Sequence, residues 1–485
     1  MKHLNNRLLS AIIALFLLCG GTANAENVSL EKAKQAGAFF YAAATGAKAP
    51  VTSENLQLAQ QFDNAALCIP ALYCFNVDGG GYVVVSASDC VEPILAYSPD
   101  GRIDAESISP ACRSFLEGYA RVIADNQNLE ATASAEVRKG WSELLDQTYS
   151  CDPAKGSVLV QSKWGQGDPD APTYNLRCPL LSGKHCLAGC VPVAMGMIIR
   201  YWEYPTKGAG TAACAWNAQT VSFNFRPDSN AFDYSLMPSK ITRTTTNEQT
   251  VAIAKLLFAL GVSVKAQWGL DGTGCTDPNV LTAFPKYWKY DSDLTYKNKS
   301  YNGVSDAVWI RTLHLEIDSN ARPVYYTASA SVGSGRDAAG HAFVICGSSA
   351  TDQNKFYVNW GWEGSDNGFY TLAPANSIGM AGGYKFSQGH AMIYNLHPIQ
   401  VVGISDLTSF STSAAYPNPA SDYIVIPAGN FANNALLSVY SIDGKMVDKA
   451  VIPAHSDEFR LNLQGYPRGT YIYRLNGEAF KFSVR

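Results

Sequence analysis

One stretch constrains this chain more than any other: Cys186-Leu187-Ala188-Gly189-Cys190-Val191-Pro192-Val193-Ala194-Met195-Gly196-Met197-Ile198-Ile199-Arg200-Tyr201-Trp202. Val191, Ala194, Met195, Ile198, Ile199 and Trp202 recur at helical spacing, which predicts a buried helix. Gly189 permits a tight turn ahead of it, Pro192 suits a first helical turn, and Tyr204-Pro205 closes the segment. Cys190 then stands where unpaired backbone N–H groups and the positive end of the helix dipole lower a thiol pKa. The same position also suits a packing cysteine, or half of a disulfide, with Cys186 only four residues upstream. The rest of the chain has to decide between these uses.

The first 25 residues have the layout of an export signal: Lys2 and Arg7, an apolar run from Leu8 to Leu18, and Ala23-Asn24-Ala25 as a cleavage site. The run is short for a membrane span. Export predicts a mature start at Glu26 and a secreted or outer-surface destination. It also changes the meaning of the cysteines. Of 12 in the chain, one (Cys19) leaves with the signal, and an odd remainder predicts a free thiol, with the others able to pair or to stay reduced. A net charge of −4 and the lack of any dense Lys/Arg cluster argue against a nucleic-acid partner. Cys186 and Cys190 alone are a weak metal signal, so neither metal nor cofactor is expected.

Residues 26–150 read as an α+β module without a convincing nucleophile. Helices are predicted from Leu30 to Ala44, Ala111 to Asn126 and Ala133 to Gln147. Strands are predicted at Cys74–Val77, Gly81–Ala87 and Pro93–Ser98. Residues 151–398 form the largest module: the Cys190 helix, a loop-rich span 203–246, helices from Glu248 to Gly261 and Asp306 to Asn320, then short strands. Those strands are Val324–Ala328, His341–Gly347, Lys355–Trp360 and Gly368–Leu372. Helices first and antiparallel strands afterwards describe an α+β fold with segregated halves. The Gly-rich loop 269–275 lacks the Gly-Lys-Ser/Thr of a phosphate cradle. Residues 399–412 read as a linker, and 413–485 as a small β-sandwich with strands near 423–426, 436–441, 459–463 and 470–475.

A nucleophilic cysteine needs a base, and the base needs an orienting group. Two histidines open apolar strands after a glycine: Gly340-His341-Ala342-Phe343-Val344 and Gly389-His390-Ala391-Met392-Ile393. His341 is preferred because Asn359-Trp360-Gly361-Trp362 follows at the end of the next strand, where a hairpin brings an amide and aromatic rings near the imidazole. Either Asn359 or Trp360 is its expected neighbour. Upstream, Lys163-Trp164-Gly165-Gln166 offers a Gln166 amide that, with the Cys190 N–H, would hold an oxyanion.

Taken in order, Trp164-x-Gln166, Pro172-x-Tyr174-Asn175, Gly189-Cys190-Val191-x-x-Ala194-Met195, Tyr201-Trp202-x-Tyr204-Pro205, Pro323-Val324-Tyr325-Tyr326, Gly340-His341-Ala342-Phe343-Val344 and Val358-Asn359-Trp360-Gly361-Trp362 resemble the streptopain-like (interpain-type) cysteine peptidases. Gly81–Ala87 and Pro93–Ser98 resemble that family's inhibitory propeptide. Tyr416-Pro417-Asn418-Pro419-Ala420, Tyr440–Lys445, Gly469-x-Tyr471 and Lys481-Phe482 resemble type IX secretion sorting domains. The resemblance implies a papain-like peptidase domain with an α+β propeptide and a C-terminal β-sandwich. It implies Cys190 and His341 as catalytic pair, Gln166, Asn359 and Trp360 as oxyanion and orienting residues, and Gly274, Gly340 and Trp362 as substrate-binding residues. Protein or peptide substrates, the chain's own propeptide and the secretion machinery are the implied partners; the domain boundaries read from the sequence put a maturation cut near 145–160. Pro192 and Cys275 depart from the family pattern.

Overall fold

The computed structural model describes residues 26–151, 158–299, 304–329, 340–349, 352–372, 390–399, 415–427, 435–442, 445–475 and 478–485. The signal expected over 1–25, residues 400–412 of the expected linker, and residues 152–157 of the expected maturation region lie outside them. The chain divides into two compact units that meet between Ile399 and Gln400.

The first unit begins with helix α1 (Leu30–Thr45), capped by the Ser29 hydroxyl and ended by Gly46 in the left-handed region. Strands β1 (Leu56–Asn64), β2 (Ile69–Val77), β3 (Tyr82–Ser86) and β4 (Ile94–Ser98) follow. Helix α2 (Pro110–Asn128) starts with Pro110 behind the cap Ser109, and α3 (Ala135–Leu145) with the cap Ser134. Two short hairpins, β5–β6 (Leu180–Leu181, Lys184–His185) and β7–β8 (Thr211–Trp216, Gln219–Asn224), flank helix α4 (Cys190–Trp202). Then come α5 (Asn247–Ser263, with a Thr246/Gln249 capping box), α6 (Asp277–Trp288), β9 (Thr295–Asn298), α7 (Asp306–His314) and strands β10 (Val324–Ser329), β11 (Gly340–Ser348), β12 (Lys355–Asn359), β13 (Gly368–Thr371) and β14 (Ala391–Tyr394).

Among the described residues of the first unit, the ten strands outside the two hairpins join one antiparallel sheet, in the order β1-β2-β3-β4-β13-β12-β11-β10-β14-β9. The N-terminal module therefore does not form a sheet of its own. β4 pairs with β13 through Phe369 opposite Tyr97 and Tyr370 opposite Ala96. One face of the sheet carries α1, α3, α4 and α5 in one core; the other carries α2 and α7 in a second. The seam is dense with contacts. Tyr97 stacks on Phe369 with centroids 5.0 Å apart. Tyr82 donates to the Asp366 carbonyl and Tyr119 to the Thr371 carbonyl, at 2.9 and 2.6 Å. The Ser109 N–H donates to the Asp366 carboxylate at 2.8 Å, so the cap of α2 is tied to the strand-rich half.

Several expectations change in detail. β1, α6 and β9 were not anticipated, and the span read as loops contains the β7–β8 hairpin. β1 is a glutamine-rich edge strand with two register shifts, which blurs its alternation. α6 carries Pro285 inside it, a residue that argues against a helix in sequence. The helix expected to reach Asn320 ends at His314 and passes into a π-helical turn over Leu315–Ser319.

The second unit pairs β15 (Tyr423–Pro427) with β18 (Glu458–Asn462). A four-stranded sheet holds β16 (Ala435–Ser441), β17 (Met446–Ile452), β19 (Gly469–Leu475) and β20 (Glu478–Val484) in the order β17-β16-β19-β20. Ile424, Leu437, Val439, Tyr473 and Phe482 fill its core, the two-layer arrangement expected of a sandwich.

Candidate active site

Every residue of α4 from Val191 to Ile199 is buried, so the helix is enclosed on all sides rather than along one stripe. This fixes its first residue, Cys190, which stays half-buried. Gly189 precedes it with φ +91°, and a Cβ there would lie 2.8 Å from Thr273. Only glycine allows the 269–275 loop to press this closely on the turn before Cys190. Pro192 occupies the first helical turn, where no intrahelical N–H is lost.

The structure brings His341 beside Cys190, where the imidazole and the backbone of Ala342 and Val191 act to lower the thiol pKa. Burial alone would raise the thiol pKa, but His341 and these backbone groups outweigh it and hold it below the ordinary range. Burial would likewise depress the imidazole, yet Cys190 and the Trp360 carbonyl raise it. Both shifts favour a thiolate–imidazolium pair. His341 Nε2 lies 2.8 Å from the Trp360 carbonyl oxygen. A carbonyl only accepts, so Nε2 carries a hydrogen and Nδ1 is left for the sulfur.

Of the two expected neighbours of His341, the partner is thus Trp360, through its main chain. Asn359 is buried and turned away; its amide donates to the Ser162 carbonyl at 2.7 Å and its oxygen accepts from the Gly361 N–H at 3.3 Å. It shapes the turn that presents the Trp360 carbonyl. The Trp362 ring sits 6.1 Å from the His341 ring. Gln166 is half-buried, and its main-chain carbonyl accepts from the N–H of Ala188, two residues before Cys190, at 2.9 Å. Gly274 pairs with Gln267 in an isolated bridge; Gly274 and Gly340 are both exposed with open space beside their α-carbons.

The other histidines are engaged elsewhere. His390 is buried with Nδ1 against the Tyr326 hydroxyl, and burial pushes its pKa down to about 3, a neutral core imidazole. His185 bonds the Cys178 carbonyl, and His314 bonds Asp318. No disulfide joins the eleven cysteines of the described residues, so the odd count does not mark one spared from pairing. Cys275 lies near both Cys190 and Cys214, and burial drives its thiol pKa far up, away from reactivity.

A reactive thiol paired with a histidine, on a helix set against an antiparallel sheet that an N-terminal module extends, defines a cysteine peptidase with an attached prosegment. Residues 164–370 match the Peptidase C10 family, residues 25–123 the Spi protease inhibitor, and residues 414–485 the secretion system C-terminal sorting domain. The chain carries a Peptidase C10 domain, an inhibitor-like propeptide and a secretion tail, and is a cysteine peptidase similar to streptopain. Streptopain of Streptococcus pyogenes is 28% identical over 427 residues, spanning 83% of this chain and 99% of that protein. The thiol protease/hemagglutinin PrtT of Porphyromonas gingivalis is 27% identical over 391 residues, 78% of this chain and 43% of that protein. A prointerpain A fragment from Prevotella intermedia superposes with a TM-score of 0.53 at 22% identity, covering 70% of this chain and 98% of that one, a likeness of fold. The tail marks the chain for type IX export to the extracellular space or cell surface.

Proposed function

We propose that this chain is the zymogen of an endopeptidase in which Cys190 is the nucleophile and His341 the acid–base group. The observation that carries the reading is the contact of the His341 ring with the Trp360 carbonyl beside Cys190, where thiol and imidazole shift each other's pKa toward the charged pair. The Cys190 thiolate adds to a peptide carbonyl, and the resulting oxyanion is held by the Cys190 N–H and the Gln166 amide. The imidazolium of His341 then gives its proton to the leaving amine. Water, deprotonated by the same imidazole, hydrolyses the acyl-enzyme. The open space beside Gly274 and Gly340 suits close approach of a substrate main chain, and Trp362 shields the imidazole from water.

The prosegment acts as the inhibitor through its hold on the sheet that carries His341. Phe115 of α2 meets Trp360 edge-on at 5.4 Å, so the prosegment braces the residue whose carbonyl orients the base. The secretion machinery is the partner of the C-terminal unit. The test is to purify the wild-type precursor beside Cys190→Ala and to follow processing and casein turnover. Retained processing and turnover in Cys190→Ala would end the proposal.

A further inference from the structure

Asp277 is the first residue of α6, and its carboxylate is claimed by hydroxyl groups rather than by a cation. The Tyr325 hydroxyl lies 3.5 Å from one oxygen and the Thr327 hydroxyl 3.3 Å from the other. The Tyr296 hydroxyl is a third donor. Among the described residues, no lysine, arginine or histidine forms an ion pair with it. A carboxylate near a helix N-terminus gains from the dipole. That gain does not need three hydroxyls from β9 and β10.

Its position gives it a use. Thr327 stands opposite Ala342, the residue after His341, in the β10–β11 register. Directly opposed residues bring their β-carbons to about 5 Å, so the carboxylate is one hydroxyl and one strand removed from the residue that follows His341. Tyr325 is within electrostatic reach of Asp277, Cys190 and Cys275 together. Asp277, Thr327 and Cys275 all remain partly exposed. An anion already held by hydroxyls and lacking a counter-charge favours a cation that arrives with the substrate.

We propose that Asp277 is a specificity-determining residue that receives a lysine or arginine side chain of the substrate, near the scissile bond on the Thr327–Ala342 side of Cys190. This rests on the peptidase reading above. Partial burial raises the Asp277 pKa, with its hydroxyl partners opposing that shift, so the preference weakens as pH falls and the carboxyl takes up a proton.

The experiment compares wild type, Asp277→Asn and Asp277→Glu on peptides that carry Lys, Arg or Leu at each of the two positions before the scissile bond. In wild type the ratio of kcat/KM for Lys or Arg over Leu exceeds one at one of these positions and falls on acidification. In Asp277→Asn that ratio drops about 10- to 100-fold, the scale of losing a hydrogen bond to a charged group, and Asp277→Glu restores it. An unchanged ratio in Asp277→Asn, including an equal loss on every peptide, overturns the assignment and leaves Asp277 a structural residue. Failure of wild type to cleave any peptide, with Cys190 unlabelled by iodoacetamide, overturns the peptidase reading itself.

Discussion

The Trp360 carbonyl oxygen lies 2.8 Å from Nε2 of His341, so of the two expected neighbours, Asn359 and Trp360, it is Trp360 that meets the imidazole, through its main chain. The Asn359 amide spends itself on Ser162 and Gly361 instead. Asn359→Ala should therefore act on the turn rather than on the imidazole. It leaves a buried carbonyl and an N–H unpaired, at a cost of about 2–3 kcal/mol in unfolding free energy. Denaturant titration of the Cys190→Ala precursor with and without Asn359→Ala measures this. The pH limbs of kcat/KM should stay in place; a displaced limb would mean that Asn359 tunes His341 directly.

The coupled shifts of Cys190 and His341 set a pH window. The thiol pKa is lowered, so the thiolate persists as pH falls until that lowered value is passed. The imidazole pKa is raised, so the cation persists as pH rises until that value is passed. The active pair exists between the two, and kcat/KM should be bell-shaped with macroscopic limbs that belong to the pair. In His341→Ala burial of the thiol is no longer outweighed. Alkylation by iodoacetamide at pH 6 should then slow by about tenfold or more, since each pKa unit changes the thiolate fraction tenfold. An unchanged rate would mean that the sulfur owes its acidity to the backbone N–H groups alone.

Much of this site is legible in sequence because its parts are local. The apolar spacing of Val191 to Trp202 places Cys190 at a helix start, and the glycine before His341 marks a strand opening. The Trp360 carbonyl is not legible, because every residue carries one and only the turn decides where it points. The β4–β13 seam joins positions about 97 and 369, a pairing no local period reports, so the N-terminal module reads as a separate body. The cysteine count misleads for a different reason: thiols such as Cys74 and Cys346 are buried apolar residues, packed rather than paired.

Glu92 of the N-terminal module faces Lys355 across that seam, with Nζ to Oε2 at 3.6 Å, while Lys355 also pairs with Asp352. Thr371 and Tyr119 are its other neighbours. Burial pushes the Glu92 pKa up to about 7, against the pull of Lys355. An acid whose pKa is higher folded than unfolded holds its proton better in the docked state. Its contribution is therefore most favourable below the ordinary carboxylate range and is lost as pH rises through about 7. Relative to Glu92→Gln, the Cys190→Ala precursor should lose stability between pH 5 and pH 8. The loss is on the order of 2 kcal/mol once partial exposure of the side chain is allowed for. Thermal melts across that range check the sign; a gain with rising pH would contradict it.

Phe115 links the prosegment to the site from the opposite face of the sheet. Its ring meets Trp360, Tyr370 and His390 edge-on at 5.4, 5.9 and 6.2 Å, and it is buried. Removing a buried phenylalanine costs about 3–5 kcal/mol, here spent largely at the contact between prosegment and peptidase domain. Phe115→Ala should therefore loosen docking while leaving Cys190, His341 and the Trp360 carbonyl in place. The precursor should mature faster than wild type in a time course followed by gel and casein turnover. The matured enzyme should show the same kcat/KM, because residue 115 departs with the prosegment. A lowered melting temperature with an unchanged maturation half-time would show that release of this face does not limit activation, and that the β4–β13 pairing holds the prosegment instead.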